Sequence, residues 1–249
     1  MKQVLGIDVG GTKVASGLVA EGCQVSDFRI ESTSQADLVG QLGKLIGSYQ
    51  GFEGIGLGLP GQVLADGRVT KLPNIESFGE TSLRQALEDQ FHLPVHVMND
   101  AKAFALAEAT FGAGQGYRTV VGLILGTGTG AGLVIDKQLH LGKDGIAGEF
   151  DHVMWLDGKL FRDQVKLQKP FNRIEEACQY LRTILSLVVL GYNPDIIVLG
   201  GGWSNMPGLQ AQAQEFLTNV GGYQNQTPVV MHQLDHPGII GAALPLLRR

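Results

Sequence analysis

Two distant stretches of this chain repeat one design. Val4 to Val9 is an apolar run, Gly10-Gly11-Thr12-Lys13 turns, and Val14 to Val19 returns. Thr119 to Leu125 is a second apolar run, followed by Gly126-Thr127-Gly128-Thr129-Gly130-Ala131-Gly132 and then Leu133-Val134-Ile135. Each copy reads as strand, Gly/Thr hairpin turn, strand. A chain that opens two of its parts in this way is building one fold unit twice.

Between and after the copies the pattern is α/β. Cys23 to Ile30 extends the first hairpin into a meander through the Glu21-Gly22 turn. Leu38, Leu42, Leu45 and Ile46 recur at helical spacing, which predicts a helix over Gln35 to Tyr49. Gly54 to Leu59 reads as a strand stopped by Pro60-Gly61. A small excursion follows over Leu64 to Thr70, then a loop with Leu72-Pro73-Asn74. Thr81 is the expected N-cap of a helix through Phe91. Pro94 to Met98 reads as a buried strand and Lys102 to Phe111 as a helix, so Asn99-Asp100 stands where one becomes the other. There Asp100 either caps free backbone N–H groups or points into a cleft between layers.

Gly112 to Gly116 is the expected boundary, giving domains of 1–115 and 116–237, with a closing helix over 238–249 packing back on the first. In the second half Glu175 to Leu190 reads as a helix. Asp195 to Leu199 reads as a strand ending in Gly200-Gly201-Gly202. Pro207 to Val220 is a helix, Pro228 to Met231 a strand, and Ile239 to Leu247 a helix.

Composition removes several function classes. The 249 residues are 44% hydrophobic and 17% charged, the balance of a globular chain. A net charge of -5, with no basic cluster beyond Arg248-Arg249, disfavours nucleic acid as a partner. Cys23 and Cys178 lie far apart with no CxxC pattern, which predicts a reduced compartment. No signal core and no membrane-length apolar run is present, so the expectation is a cytoplasmic protein. Glycine is in excess, at 36 of 249 residues, about twice the usual share of roughly 7%. Its clustering in turns after apolar runs suggests close approach of backbone to a ligand.

The first turn, Asp8-x-Gly10-Gly11-Thr12-Lys13, has neither Walker A nor dinucleotide spacing, and it leads into a strand rather than a helix. It offers backbone N–H groups, a Thr hydroxyl and the Lys13 charge, a set suited to phosphate. Asp8 at the strand end suits Mg²⁺ held through water. The second turn repeats this chemistry at the same strand-end position.

With these residues in hand the chain resembles the actin-like ATPase and sugar-kinase superfamily, and within it the ROK family. The motifs are DVGGTK at 8–13, GLPG at 58–61, LPN at 72–74, NDAKAFALAE at 99–108, GTGTGAG at 126–132, AGEFDH at 147–152, PDIIVLGGG at 194–202 and GIIGAALPLL at 238–247. The resemblance implies two duplicated actin-like (ribonuclease H-like) α/β domains, each with a mixed sheet, and a cleft between them. It implies phosphoryl transfer from ATP to a sugar hydroxyl, with Asp100 as general base. Gly61, Asn74, Asn99, Glu149 and His152 would contact the sugar. Gly10, Gly11, Thr12, Lys13, Gly126, Thr127, Gly128, Thr129 and Gly130 would hold the ATP phosphates. Gly200, Gly201 and Gly202 would lie against the adenosine, and a homodimer is expected. Thr33, Ser34 and Gln62 are further candidates to line the sugar pocket, and the apolar centre of the long helix, Leu185 to Val188, is a candidate for the dimer contact.

Two departures stand out. Family members carry three cysteines in a CxCGxxGC zinc pattern soon after the histidine, and Met154 to Lys169 contains none. No zinc is therefore expected, and Trp155, Leu156, Leu160 and Phe161 are expected to hold this segment by packing. Asp151 replaces the glycine expected between Glu149 and His152. The repressor branch of the family places a winged helix-turn-helix ahead of Asp8, and this chain is expected to have none. A sugar or nucleotide sensor of weak activity is the alternative to a kinase.

Overall fold

A computed structural model describes residues 2–64, 66–71, 82–126, 128–154, 158–166 and 174–248. Its first part holds β1 (Gln3–Val9), β2 (Lys13–Ala20), β3 (Val25–Ser32), α1 (Leu38–Gly47), β4 (Ile55–Leu59), β5 (Gln62–Val63), β6 (Val69–Lys71), α2 (Leu83–Phe91), β7 (Val95–Asn99) and α3 (Asp100–Phe111). There follow β8 (Thr119–Leu125), β9 (Thr129–Ile135), β10 (Gln138–Leu139), α4 (Phe161–Lys166) and α5 (Ile174–Tyr192). The chain ends with β11 (Ile196–Gly200), α6 (Leu209–Leu217), β12 (Asn219–Val220), β13 (Tyr223–Gln224), β14 (Val229–Met231) and α7 (Pro237–Leu247).

The duplication is written into the sheets. One has the strand order β3-β2-β1-β4-β7 and the other β10-β9-β8-β11-β14. In both, an antiparallel hairpin (β1 with β2, β8 with β9) is followed by two parallel strands (β4 and β7, β11 and β14). This is the mixed-sheet, actin-like α/β architecture. By internal packing unit 1 comprises Met1–Ala107, Leu141–Ile146 and Asp235–Arg249, and unit 2 comprises Glu108–His140 and Ala147–Leu234. The chain thus passes from one unit to the other inside α3, and α7 belongs to unit 1.

Each unit buries its own core. In unit 1, Leu5, Ile7, Leu38, Leu42, Ile46, Ile55, Leu57 and Leu87 are sealed between the sheet and α1 and α2. In unit 2, Leu123, Leu133, Ile184, Leu185, Val188 and Leu199 play that part under α5 and α6. The apolar centre of α5 is therefore core, and Leu185 and Val188 offer nothing to a partner.

Not all of the glycine excess serves turns. Gly6 and Gly56 are register partners on β1 and β4. A Cβ at Gly6 would sit 2.3 Å from Ile239 O, and one at Gly56 would sit 2.1 Å from Ala242 O. The two bare positions form a trough in which the backbone of α7 lies.

Several boundaries differ from the sequence expectation. The first helix starts at Leu38, because Asp37 caps it by accepting from Gly40 N–H and Ser34 Oγ accepts from Asp37 N–H. Ser82 caps α2 through Gln85 N–H; Thr81, the expected cap, lies outside the described residues. The second glycine turn is short, since Thr129 to Gly132 already belong to β9. The helix expected over Pro207 to Val220 stops at Leu217, and its end pairs as β12 with β13 around Gly221-Gly222, both at positive φ.

Candidate active site

In unit 1 the polar residues gather at the carboxyl ends of parallel strands, where open α/β sheets bind ligands. Asp8, Gly58 and Met98 form one row across β1, β4 and β7. A side chain at Gly58 would lie 3.6 Å from both Asp8 Oδ1 and the Asp100 Cα, so the bare position opens the space beside the two acids. Asp100 opens α3, and its Oδ1 accepts from Ala101 N–H at 2.8 Å.

Asn99, not Asp100, takes the capping position: its Oδ1 accepts from Lys102 N–H at 3.1 Å. Its Nδ2 donates to Gly61 O at 3.0 Å, which fixes the turn after β4, where Gly61 sits at φ +97. Only 7% exposed, Asn99 therefore holds the Gly61 turn to the start of α3. The N-cap position is thus filled by its neighbour, while Asp100 itself still accepts from the first-turn Ala101 N–H.

Asp8 is half-buried against the start of α7; a Cβ on Gly238 would sit 2.2 Å from its Oδ2. Burial pushes its carboxyl up to about 6.

The first glycine turn is stripped of its carbonyls. Gly10 O accepts from Thr33 Oγ1, Gly11 O from Gln35 Nε2, Thr12 O from Thr33 N–H and Lys13 O from Gly10 N–H. With these acceptors held by the protein, the exposed edge at Gly11 and Thr12 carries donors, the polarity an anion needs. Thr33, expected to line a sugar pocket, braces this turn through both its hydroxyl and its backbone N–H. Ser34 belongs to the α1 cap, and Gln62 Oε1 accepts from Thr70 Oγ1.

In unit 2 the second turn closes through Gly126 N–H to Gly128 O at 3.0 Å. Thr129 is buried, with its Oγ1 accepting from Tyr180 OH at 2.6 Å. Of the three glycines at the end of β11 and just beyond it, Gly201 (φ +85) is required by the protein itself, since a Cβ there would sit 2.5 Å from Leu125 O. At Gly202, as at Gly11 and Gly128, an added Cβ would meet nothing within 4 Å.

Glu149 precedes the short 3-10 turn Phe150–His152, and His152 ends it. Nδ1 of His152 lies 3.4 Å from Glu149 Oε2 and 3.0 Å from Asp151 Oδ1, while its Nε2 meets Arg162 Nη1. Both ring nitrogens thus face protein groups. Asn74 and Thr127 lie outside the described residues, as do Trp155 and Leu156 of the segment expected to hold by packing. Phe161 of that segment is buried and stacked on Tyr180 at 4.9 Å, and Met154 bridges to Leu160.

The donor set in this region does not match the zinc pattern of the resemblance: residues 154–169 contain no cysteine, and Cys178 lies in the core of unit 2. Glu149, Asp151 and His152 do approach one another closely enough to share a cation. Sequence reasoning missed two buried ions on α3. Lys102, 2% exposed, donates from Nζ to Gly145 O at 2.6 Å. Glu108, fully buried, accepts from the N–H groups of Ala113, Gln233 and Leu234.

Duplicated mixed sheets with a glycine turn at the same place in each define an actin-like α/β protein. The model of the ROK family matches residues 4–163, and the chain belongs to that family. An N-acetyl-D-glucosamine kinase of Vibrio parahaemolyticus is 38% identical over 254 residues, covering 80% of this chain and 84% of that protein. A glucokinase of Streptomyces coelicolor is 36% identical over 167 residues, 64% of this chain and 52% of that protein, so the match spans about half of that relative. Among solved structures, a ROK hexokinase from Thermus thermophilus superposes with a TM-score of 0.78 at 26% identity, covering 97% of both chains. No described helix is long and apolar enough to cross a membrane.

Proposed function

We propose that this chain is an ATP-dependent sugar kinase that phosphorylates a hydroxyl of a hexose or N-acetylhexosamine, with Asp100 as general base. The observation that carries the proposal is the place of Asp100, at the head of α3 beside the ends of β1 and β4, with Asn99 in the N-cap position before it. The names of the relatives support a sugar acceptor and differ on which sugar it is.

In this proposal Asp100 accepts the proton of the sugar hydroxyl as its oxygen attacks the γ-phosphorus, and ADP leaves with the electrons of the broken P–O bond. Asn99, Gly61, Asn74 and Glu149 orient the sugar, with His152 beside Glu149. Residues Gly10 to Lys13 and Gly126 to Gly130 receive phosphate oxygens on their donors, and Gly202 leaves room for the nucleoside. Asp8, an oxygen donor at a strand end, fits a water-mediated Mg²⁺, which when bound offsets phosphate charge. Zinc is not part of the proposal, because the thiolates are missing. We also carry a homodimer, to be checked by light scattering.

Coupled ADP release over a panel of hexoses and N-acetylhexosamines, with Mg²⁺ and no added zinc, tests the proposal; sugar-dependent turnover is expected. The altered segment after His152 favours the second reading, a sensor of weak activity. Sugar or ATP raising the melting temperature without turnover on any sugar would point to it.

A further inference from the structure

Asp151 stands where the resemblance leads one to expect glycine, and the structure gives it several partners within unit 2. It is 5% exposed. Its Oδ2 accepts from the N–H of Thr129, the residue that closes the second glycine turn, at 3.4 Å. Thr129 in turn holds Tyr180 of α5. Its Oδ1 lies 3.0 Å from Nδ1 of His152, and Arg162 of α4 meets the far side of that ring.

Elementary donor chemistry assigns the ring. A guanidinium only donates, so the Nε2 facing Arg162 must carry the lone pair. The neutral ring then holds its proton on Nδ1, facing Asp151 and Glu149. Asp151 Oδ1 makes no aligned hydrogen bond, so it faces this proton as a negative charge at 3.0 Å, with Glu149 Oε2 at 3.4 Å. A divalent cation in the same place would require Nδ1 to lose its proton and would bring a second positive charge toward Arg162. The protonated arrangement therefore fits these residues better than a metal does.

We propose that Asp151 is a positioning residue that couples the second glycine turn to the Glu149–His152 corner. One carboxylate, being negative on both oxygens, can accept from Thr129 N–H through Oδ2 and at once face His152 Nδ1–H with Oδ1. An amide cannot, because its NH₂ would face one of those donors. The inference rests on the kinase reading for its kinetic consequence, and on the ring geometry alone for its structural one.

The test has two readouts. Long-range ¹H–¹⁵N correlation spectra of histidine-labelled protein, without substrate, should show His152 as the Nδ1–H tautomer in wild type. Asp151→Asn should keep that tautomer, which Arg162 fixes, and should shift the His152 ring ¹⁵N and Nδ1–H resonances. In assays the same variant should raise KM for ATP and for sugar together, about 5- to 10-fold each, with kcat within about 3-fold, the range expected for one lost polar contact per site. Three results would overturn the proposal: an Nε2–H tautomer in wild type, unchanged KM values in a folded Asp151→Asn, or stoichiometric Mn²⁺ or Zn²⁺ binding to nucleotide-free protein that Asp151→Asn abolishes. The wild-type spectrum needs no variant to fold. The comparison of the two spectra decides the structural claim even if no sugar is turned over, so failure of the kinase reading is distinguishable from failure of this one.

Discussion

Asp8 shows at a single residue how a site opposes stability. Its carboxyl is raised to about 6 by burial, while an unfolded chain would hold it near the ordinary value of about 3.9. Between those values the folded state binds the extra proton, so the stabilising contribution is present at low pH and lost as pH rises through about 6. At neutral pH the charge is present and costs on the order of 2 kcal/mol, roughly two units of pKa difference with allowance for partial exposure. Asp8→Asn should raise the melting temperature at pH 7.5 by a few degrees and leave it nearly unchanged at pH 4, as calorimetry would show. Asp8 was legible as a strand-end acid because the apolar run before it is unambiguous. Its enclosure was not, since that depends on Gly238, far along the chain.

At the scale of elements, α3 does more than present Asp100. Asn99 ties its start to Gly61, Lys102 reaches Gly145, and Glu108 gathers three backbone N–H groups from the Ala113 turn and the 233–234 segment. In sequence, Lys102 and Glu108 read only as good helix formers, because the segments that bury them lie elsewhere in the chain. Glu108→Ala leaves three donors unsatisfied and should cost about 4 kcal/mol, against about 1–2 kcal/mol for Glu108→Gln, which keeps one acceptor oxygen. Urea denaturation of the two variants measures the difference. The α7 trough obeys the same logic. Gly6 and Gly56 are ordinary strand glycines until the register pairs them under Ile239 and Ala242. Gly56→Ala should destabilise by about 3 kcal/mol through overpacking. An exposed glycine such as Gly47, where a Cβ would meet nothing, should tolerate alanine with little change.

For the whole molecule, the legible part was the duplication. Two strand–turn–strand copies foretold two sheets of one topology, and the ladders repeat strand for strand. The units are not contiguous in sequence: Leu141–Ile146 and the last fifteen residues, 235–249, belong with unit 1. Periodicity reports which face of an element is apolar, not which unit will bury it. The fold of the glycine turns was likewise readable as hairpin, while the bracing of Gly10 and Gly11 by Thr33 and Gln35 was not, because those side chains come from beyond β3. If the stripped carbonyls of that turn make it an anion seat, a non-hydrolysable ATP analogue at 100 times its Kd should stabilise the protein by about 2.7 kcal/mol. Thr33→Val should weaken that shift.

The central claim is that Asp100 removes the proton from a sugar hydroxyl. The most direct measurement is single-turnover phosphoryl transfer by wild type and Asp100→Asn, side by side with the best sugar of the panel, with sugar and nucleotide affinities determined for both. The account predicts a rate lowered by roughly 10²–10⁴-fold, with binding and melting temperature little changed. A rate within a few-fold of wild type, in a variant that binds both substrates normally, would contradict it.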